Sequence, residues 1–578
     1  MKFSDFAIDE SRDVFDVIVV GSGMSGGWAA KEFCEKGLKT LVLERGRLVE
    51  HRTDYVGEGK GPWEFAHRTR VPRDLVEKRY QVQQKCYAFN DATKHFFGDD
   101  EALPYSTEKG TGFDWIRANQ LGGKSVLWHR QSYRFNRWDF EANKADGVGV
   151  DWPVRYSDLK PWYEKVERFV GISGNDDGLE QLPSSICQPP FEMTSPEISI
   201  QEHLAETYPD RPMIMSRAAH LTKPTQLHFD QGRVRCQARN ECQKGCSFGA
   251  YFSSLSATLP AAAKTENLSI APNSVVHSLI HDVATNRVRG VRVIDNETLT
   301  TREYFGRMVF LCASTLASTQ ILLNSKTRQY PNGLANRSGV LGRYLMDHNY
   351  NAGARGYVEG FDDEYYAGRR PTGIYIPNFR YKPDRYHKDY LRGFAYAGGA
   401  QREDWRSHSW IDGIGADFKH QLSHAGRWSF YLAAQGEMLP RVDNRVELHS
   451  TKKDRWGIPQ LHIHCRWSDN EIRMMEDAAE SAQQMLKSIG LEEVSSWVTV
   501  RENNPGLAIH EVGTARMGRD SKTSVLNGFN QSHDIPNLFV TDGSAFASSA
   551  VVNPSLTFMA FTARAADYAV HELGQGRI

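Results

Sequence analysis

No run of apolar residues in this 578-residue chain approaches the roughly 18 needed to cross a bilayer as a helix. The opening Met1-Lys2-Phe3-Ser4-Asp5-Phe6 also lacks the basic-then-apolar layout of a secretory leader, so a soluble protein is expected. Charge of one sign is missing too. Lys+Arg 70 against Asp+Glu 71 leaves a net charge of -1, which excludes an overall basic field for nucleic acid or anionic lipid, a local patch aside. Cysteine is scarce: the 8 present are too few for a disulfide scaffold. Cys34, Cys86, Cys187, Cys312 and Cys465 are scattered and read as ordinary buried thiols, whereas the other three cluster. Internal repeats and low-complexity linkers are absent. The length exceeds one simple core, so two large domains assembled from non-consecutive segments, able to bury a large ligand, are expected.

What is present begins at once. The apolar run Phe15-Asp16-Val17-Ile18-Val19-Val20 leads into Gly21-Ser22-Gly23-Met24-Ser25-Gly26, then a helix expected over 27–36 and a second strand, Thr40 to Leu43, ending on Glu44. In such a strand-turn-helix the first glycine permits the tight turn, the second lets a pyrophosphate approach the backbone, and the third lets helix and strand pack closely. Free N–H groups and the helix dipole favour the phosphate there. An acid after the second strand accepts hydrogen bonds from a ribose diol, which points to FAD or NAD before NADP. An accidental glycine turn is the plain alternative.

Residues 50–110 are polar, rich in charge and aromatics and without a clean period, and read as excursions over the cofactor. Asn119-Gln120-Leu121-Gly122-Gly123-Lys124-Ser125 is a second glycine turn, suited to positive φ and to close approach to a flat ring or a phosphate. Leu159, Trp162, Tyr163 and Val166 have helical spacing, with a start near Ser157-Asp158. The β-branched runs 268–270, 274–280, 288–293 and 307–312 predict hairpins, the last run re-entering a parallel sheet, followed by a helix over 313–324. The aromatic-dense stretch 344–431 reads as an antiparallel sheet with an aromatic core face, or as a wall on which sugar rings stack. Chemistry concentrates near the C-terminus. His510-Glu511-Val512-Gly513-Thr514 precedes a strand, Asn537 to Val540, then Thr541-Asp542-Gly543-Ser544 and a last helix to about Gly574, with Asn553 as its expected cap and Pro554 at its start.

Taken together, the Gly21–Glu44 unit, the loop Leu121–Ser125, the strand and helix Phe310–Leu323, the phrase Leu341-Gly342-Arg343-Tyr344-Leu345-Met346-Asp347-His348 and the segment His510–Thr557 resemble the glucose-methanol-choline oxidoreductase family, over most of the chain. The resemblance implies an α/β fold, α+β overall: a Rossmann-like FAD-binding domain from residues 1–150, 240–345 and 505–578, and a substrate domain on a largely antiparallel sheet from 151–239 and 346–504. It implies FAD contacts from Gly21, Gly23, Met24, Ser25, Gly26, Glu44, Arg45, Leu121, Gly122, Gly123, Ser125, Val275, Val276, Asp542, Gly543, Asn553, Pro554 and Ser555. It makes His510 the base that takes a hydroxyl proton while hydride passes to the flavin, with Asn553 holding the hydroxyl from its other side. Histidine suits that role because its ordinary pKa lies near operating pH. In the pyranose oxidase branch, whose phrases match Trp138-Asp139-Phe140 and Trp152-Pro153-Val154-Arg155-Tyr156, a histidine links covalently to the flavin. Leu127 stands at that place in Ser125-Val126-Leu127-Trp128, so a noncovalent FAD is expected, and His129 would point away if the segment were extended.

Cys236, Cys242 and Cys246 suit an iron-sulfur cluster or zinc, and no nearby His or Cys supplies zinc with a fourth ligand. Resemblance to the fructose and glucose dehydrogenase branch implies a 3Fe-4S cluster, a small accessory subunit, a multihaem cytochrome c acceptor, and periplasmic export on a signal-bearing partner; a metal-free family loop and a cytoplasmic enzyme are the alternatives. Gly27-Trp28-Ala29-Ala30-Lys31-Glu32 and Glu44-Arg45-Gly46-Arg47 are similar to the glucoside 3-dehydrogenase branch, which implies oxidation of a C3 ring hydroxyl of glucosides to a ketone. Gln435 and Glu437 are candidate substrate contacts, with sheet-edge polar residues as the bland reading. Fructose, gluconate or pyranose-C2 oxidation, an oxygen-using oxidase, an NAD enzyme, and a non-catalytic redox-partner docking protein are the competing functions.

Overall fold

A computed structural model describes residues 2–9, 13–362, 371–381, 387, 389–403 and 413–578. Parts of the aromatic stretch 344–431 therefore lie outside the described residues.

The opening strand, Val14–Val20, is buried on both faces over its apolar half, as a central parallel strand must be. It lies between Thr40–Leu43 and Thr301–Leu311, parallel to both. Leu268–Ala271 extends this sheet beyond Thr40–Leu43, and Leu538–Val540 pairs in parallel with the end of Thr301–Leu311. The start of Thr301–Leu311 pairs antiparallel with Arg287–Asp295, which pairs with Ser274–Asp282. One long strand thus serves as hairpin arm at its start and as parallel strand at its end, the re-entry that the β-branched runs predict. Leu268–Ala271 departs from the hairpin expectation: it joins Thr40–Leu43 rather than its successor. The helix Met24–Glu35 sits under the first strand, with Tyr156–Val170 and the final helix, Ser555–Gly574, packed beside it.

A second sheet is antiparallel, in the order Glu492–Val498, Ala352–Val358, Trp428–Gly436, Phe394–Arg402, Ile374–Ile376, Ile214–Met215. Along Trp428–Gly436, Trp428, Phe430, Leu432 and Ala434 are buried. They share a core with Met474, Ala478, Ala482 and Met485 of the helix Asp469–Ser488, whose spacing of three and four makes one face. Tyr431 and Ala433 point the other way, into the central cavity, so one face of the strand is core and the opposite face is cavity wall. A third sheet, Val512–Thr514, Arg343–Met346, Arg445–Lys453, Pro459–His464, Ser106–Thr107, gathers strands from distant parts of the chain.

Candidate active site

A cavity of about 580 Å³ runs from the first glycine turn to His510 and Asn553. Its glycines have separable duties. Gly21 has φ +97°, and a Cβ there would lie 2.5 Å from the Cys312 carbonyl oxygen; a Cβ on Gly26 would lie 1.8 Å from the oxygen of Gly21. Both are demanded by the protein's own packing. A Cβ on Gly23 meets nothing within 4 Å, although Gly23 lines the cavity at the start of Met24–Glu35. The volume that a side chain would fill there is left for a ligand, which fits a pyrophosphate on the helix N-terminus. Farther along, Glu44 accepts from Ser22 N–H (3.3 Å), from the Ser22 hydroxyl and from Gly46 N–H (2.9 Å), and burial raises its pKa. Arg45 beside it is half-buried, its desolvation draws its pKa down to about 10, and its Nε donates to Asn119 Oδ1 at 3.2 Å.

At the other end, His510 is held from behind. The buried carboxylate of Asp347 accepts from the backbone N–H of Gly506 (2.7 Å), Ala508 (3.3 Å) and His510 (3.0 Å). That clamp supports a strained step: Ile509, a β-branched residue, has φ +63°. His348 Nε2 lies 2.8 Å from the carbonyl oxygen of Ala550, and its Nδ1 lies 3.0 Å from His510 Nδ1. The carbonyl can only accept, so His348 carries its proton on Nε2 and offers a lone pair at Nδ1. The proton between the rings then belongs to His510 Nδ1, and His510 Nε2 is left with a lone pair, 3.3 Å from Asn553 Nδ2. Burial holds His348 down at about 4; burial, then His348, Lys124 and His129, hold His510 well below the ordinary range for histidine. Asn553 Oδ1 is buried with no partner among the described residues, an acceptor left open toward a ligand.

Not every expected contact reaches the cavity. Gly21, Gly23, Met24, Ser25, Glu44, Arg45, Gly123, Ser125, Val275, Val276, His510, Asp542, Gly543, Asn553 and Ser555 line it; Gly26, Leu121, Gly122 and Pro554 do not. Gly122 (φ +88°) turns the chain over Leu255, and its N–H donates to the Ser22 hydroxyl at 2.9 Å, tying the two glycine turns together. Leu121 is core. Pro554, not Asn553, occupies the cap of the last helix, which frees the Asn553 side chain to face His510. Gln435 and Glu437 are also turned away. Gln435 Nε2 donates to the Val551 carbonyl at 2.5 Å while its oxygen accepts from Tyr350, and Glu437 is buried in an ion pair with Arg392 at 2.8 Å. His129, by contrast, does line the cavity. The chain at Gly123–Val126 is a tight helical turn and Leu127 keeps helical φ and ψ, so the alternation of an extended strand does not apply. Residues missed by sequence reasoning include Asp347 and His348, visible only as part of a family phrase, and the cavity-lining ion pair Lys124–Glu511 at 2.8 Å. Of the 50–110 stretch, Cys86, Tyr87 and Phe97 reach the wall.

Family models described as GMC oxidoreductase match residues 16–350 and 440–562, the N- and C-terminal parts of the family. The chain belongs to the GMC oxidoreductase family. This GMC oxidoreductase is 26% identical to the fructose dehydrogenase large subunit of Gluconobacter japonicus over 97% of its own length and 98% of the relative's. It is 26% identical to the 2-methyl-1,2-propanediol dehydrogenase of Mycolicibacterium austroafricanum, over 96% and 95%. In fold it resembles the crystal structure of pyridoxine 4-oxidase from Mesorbium loti, with a TM-score of 0.59 and 17% identity over 96% of this chain and 99% of that one. It is accordingly an FAD-dependent oxidoreductase acting on CH–OH donors, and the space beside Gly23 fits that cofactor.

In this GMC oxidoreductase, Cys236, Cys242 and Cys246 face a second, small cavity of about 20 Å³. The loop between them is tightly wound, with Ala238 (φ +52°) and Asn240 (φ +54°) both left-handed. Here the structure corrects the search for a fourth ligand: His220 Nε2 lies 3.6 Å from Cys242 Sγ, brought in from a segment that no local spacing connects. The three sulfur atoms do not converge within 4.8 Å of one another, whereas four thiolates about one tetrahedral ion stand about 3.8 Å apart. Tyr251 lines this cavity, and its hydroxyl donates to the carbonyl of Ser125, a residue of the large cavity, at 2.8 Å.

Proposed function

We propose that this GMC oxidoreductase is a sugar or glycoside dehydrogenase that oxidises a secondary ring hydroxyl, that of C3 in glucosides, to a ketone. The observation that carries the reading is the lone pair of His510 Nε2 set opposite Asn553 at the cavity's end. A ring hydroxyl placed between them donates its proton to Nε2 and its oxygen accepts from the Asn553 amide. The neutral, half-buried imidazole is in the form that accepts a proton, and Asn553 orients the oxygen without competing as a base. FAD, when bound, supplies the acceptor for the hydride on the same carbon. Tyr87, Trp128, Tyr350 and Tyr431 give the wall flat faces for a sugar ring. The names of similar proteins support a polyol: besides the fructose dehydrogenase subunit, a C-glycoside 3-oxidase of Arthrobacter globiformis is 29% identical over 23% of the chain.

The proposal includes a noncovalent flavin, since Leu127 stands where the covalent branch has histidine. It also includes a 3Fe-4S cluster on Cys236, Cys242 and Cys246 that passes electrons to a cytochrome c, with a small subunit, in the periplasm. The Tyr251 link between the cavities, and a sulfur triad in which at least one pair stands more than 4.8 Å apart, support this reading. The test is an anaerobic absorbance spectrum before and after methyl glucoside. Bleaching of the flavin band, with broad residual absorption from the cluster and flavin recovered in the acid supernatant, is expected. His510→Ala should keep its flavin and reduce it about 10²–10⁴-fold more slowly. An unbleached flavin would refute the glycoside substrate, rapid oxygen uptake the dehydrogenase, and the absence of iron the cluster.

A further inference from the structure

None of the residues in its strands lines either cavity, and the third sheet carries an arrangement with no duty in hydroxyl oxidation. The strand Pro459–His464 alternates: Leu461 and Ile463 are core, while His462 and His464 stand on the opposite face. Ser106–Thr107 pairs in parallel with it, Ser106 opposite His462, and Glu108 follows, its N–H donating to the Ile463 carbonyl at 3.0 Å. One Glu108 oxygen lies 3.1 Å from His464 Nδ1 and 3.7 Å from His462 Nε2. Among the described residues, this is the group whose three ligand atoms all lie within 4.8 Å of one another.

We propose that Glu108, His462 and His464 form a binding site for a divalent transition-metal ion of the zinc class. Tetrahedral coordination at ordinary Zn–N and Zn–O lengths sets neighbouring ligand atoms about 3.3–3.5 Å apart, and the observed 3.1 and 3.7 Å bracket that spacing. Both rings are also oriented from behind. His462 Nδ1 lies 2.9 Å from the Ser106 hydroxyl, which turns Nε2 toward Glu108. His464 Nε2 lies 3.0 Å from Glu447 Oε1, which turns Nδ1 the same way and makes the carboxylate–histidine support usual for a zinc ligand. Arg445 Nε lies 3.9 Å from the other oxygen of Glu447. The side chains of Glu108 and Glu447 are about half exposed, so an ion enters from solvent and a water completes the fourth position. The ion clasps the two-residue strand Ser106–Thr107, which has little ladder of its own, onto Pro459–His464.

The test uses the flavin-loaded protein, stripped with chelator and dialysed against Zn²⁺, with bound zinc read by metal analysis. One equivalent per chain is expected in the wild type and in Cys242→Ser. It should be lost in His462→Ala and His464→Ala, and bound about 10–100-fold more weakly in Glu447→Gln. Glu108→Gln, at an exposed side chain, is the control should a histidine variant fail to fold; folding is judged by its flavin, and it too should lose the equivalent. Failure of the wild type to retain zinc would overturn the site. So would an equivalent that persists in His464→Ala and Glu108→Gln, or one that disappears only with Cys242→Ser.

Discussion

His510 depends on His348 for the identity of its basic nitrogen. The Ala550 carbonyl dictates one tautomer of His348, and His348 dictates one tautomer of His510, so a lone pair faces Asn553. A second consequence concerns pH. Because burial and the neighbouring His348, Lys124 and His129 hold His510 well below its ordinary pKa, the base remains neutral through the neutral range. The acid limb of kcat/KM is therefore expected well below pH 6.5, and a limb at or above 6.5 would contradict the assignment of the base. His348→Ala opens space for water behind the ring and removes one of the groups that depress His510. It should lower kcat more than it raises KM and move the acid limb up toward 6.5; a pH–rate profile of the variant checks both. Of this set, His510 and Asn553 were indicated by the family resemblance of the C-terminal segment. His348 was not, because it lies 162 residues away and nothing in its own neighbourhood indicates which ring it will touch.

Among the local elements, the strand-turn-helix Val14–Glu35 separates two kinds of glycine. Gly26→Ala places a methyl against the Gly21 carbonyl and should destabilise the protein whether or not flavin is present. Gly23→Ala meets no protein atom, so its apoprotein should melt like the wild type while its flavin content falls. Melting curves and the ratio of flavin to protein distinguish the two, and equal apoprotein melting in both variants would refute the division. The element itself was readable because a buried parallel strand, a G-x-G-x-x-G turn and a helix all occur within consecutive residues. The duties within it were not, since they depend on Cys312, just past the end of a strand and nearly three hundred residues on. The second glycine turn shows the same limit: Gly122 and Gly123 both have positive φ as expected, yet only Gly123 reaches the cavity.

For the whole molecule, distant segments are joined by buried charge. Arg392, 1% exposed at its side chain, pairs with Asp146 at 2.5 Å and Glu437 at 2.8 Å, joining the end of the helix Arg137–Asp146 to the six-stranded sheet. Removing one member leaves the others charged and buried, which costs about 3–5 kcal/mol. Arg392→Ala is therefore expected to lower the melting temperature of the holoprotein by several degrees, as calorimetry would show, and an unchanged transition would mean that water solvates this network. The same packing engages Gln435, at the end of a strand near the site, and Glu437, just past it, with partners within the protein. What the amino-acid sequence determined by itself is what adjacent residues can encode: the glycine turn, the β-branched strands, the amphipathic helices and the C-terminal motif carrying His510 and Asn553. Only the tertiary structure decided which side chains meet across the sheets: His348 behind His510, His220 beside Cys242, and Glu108 between His462 and His464. Periodicity sets the face on which a side chain stands, but its partner is set by strand order and packing between segments hundreds of residues apart.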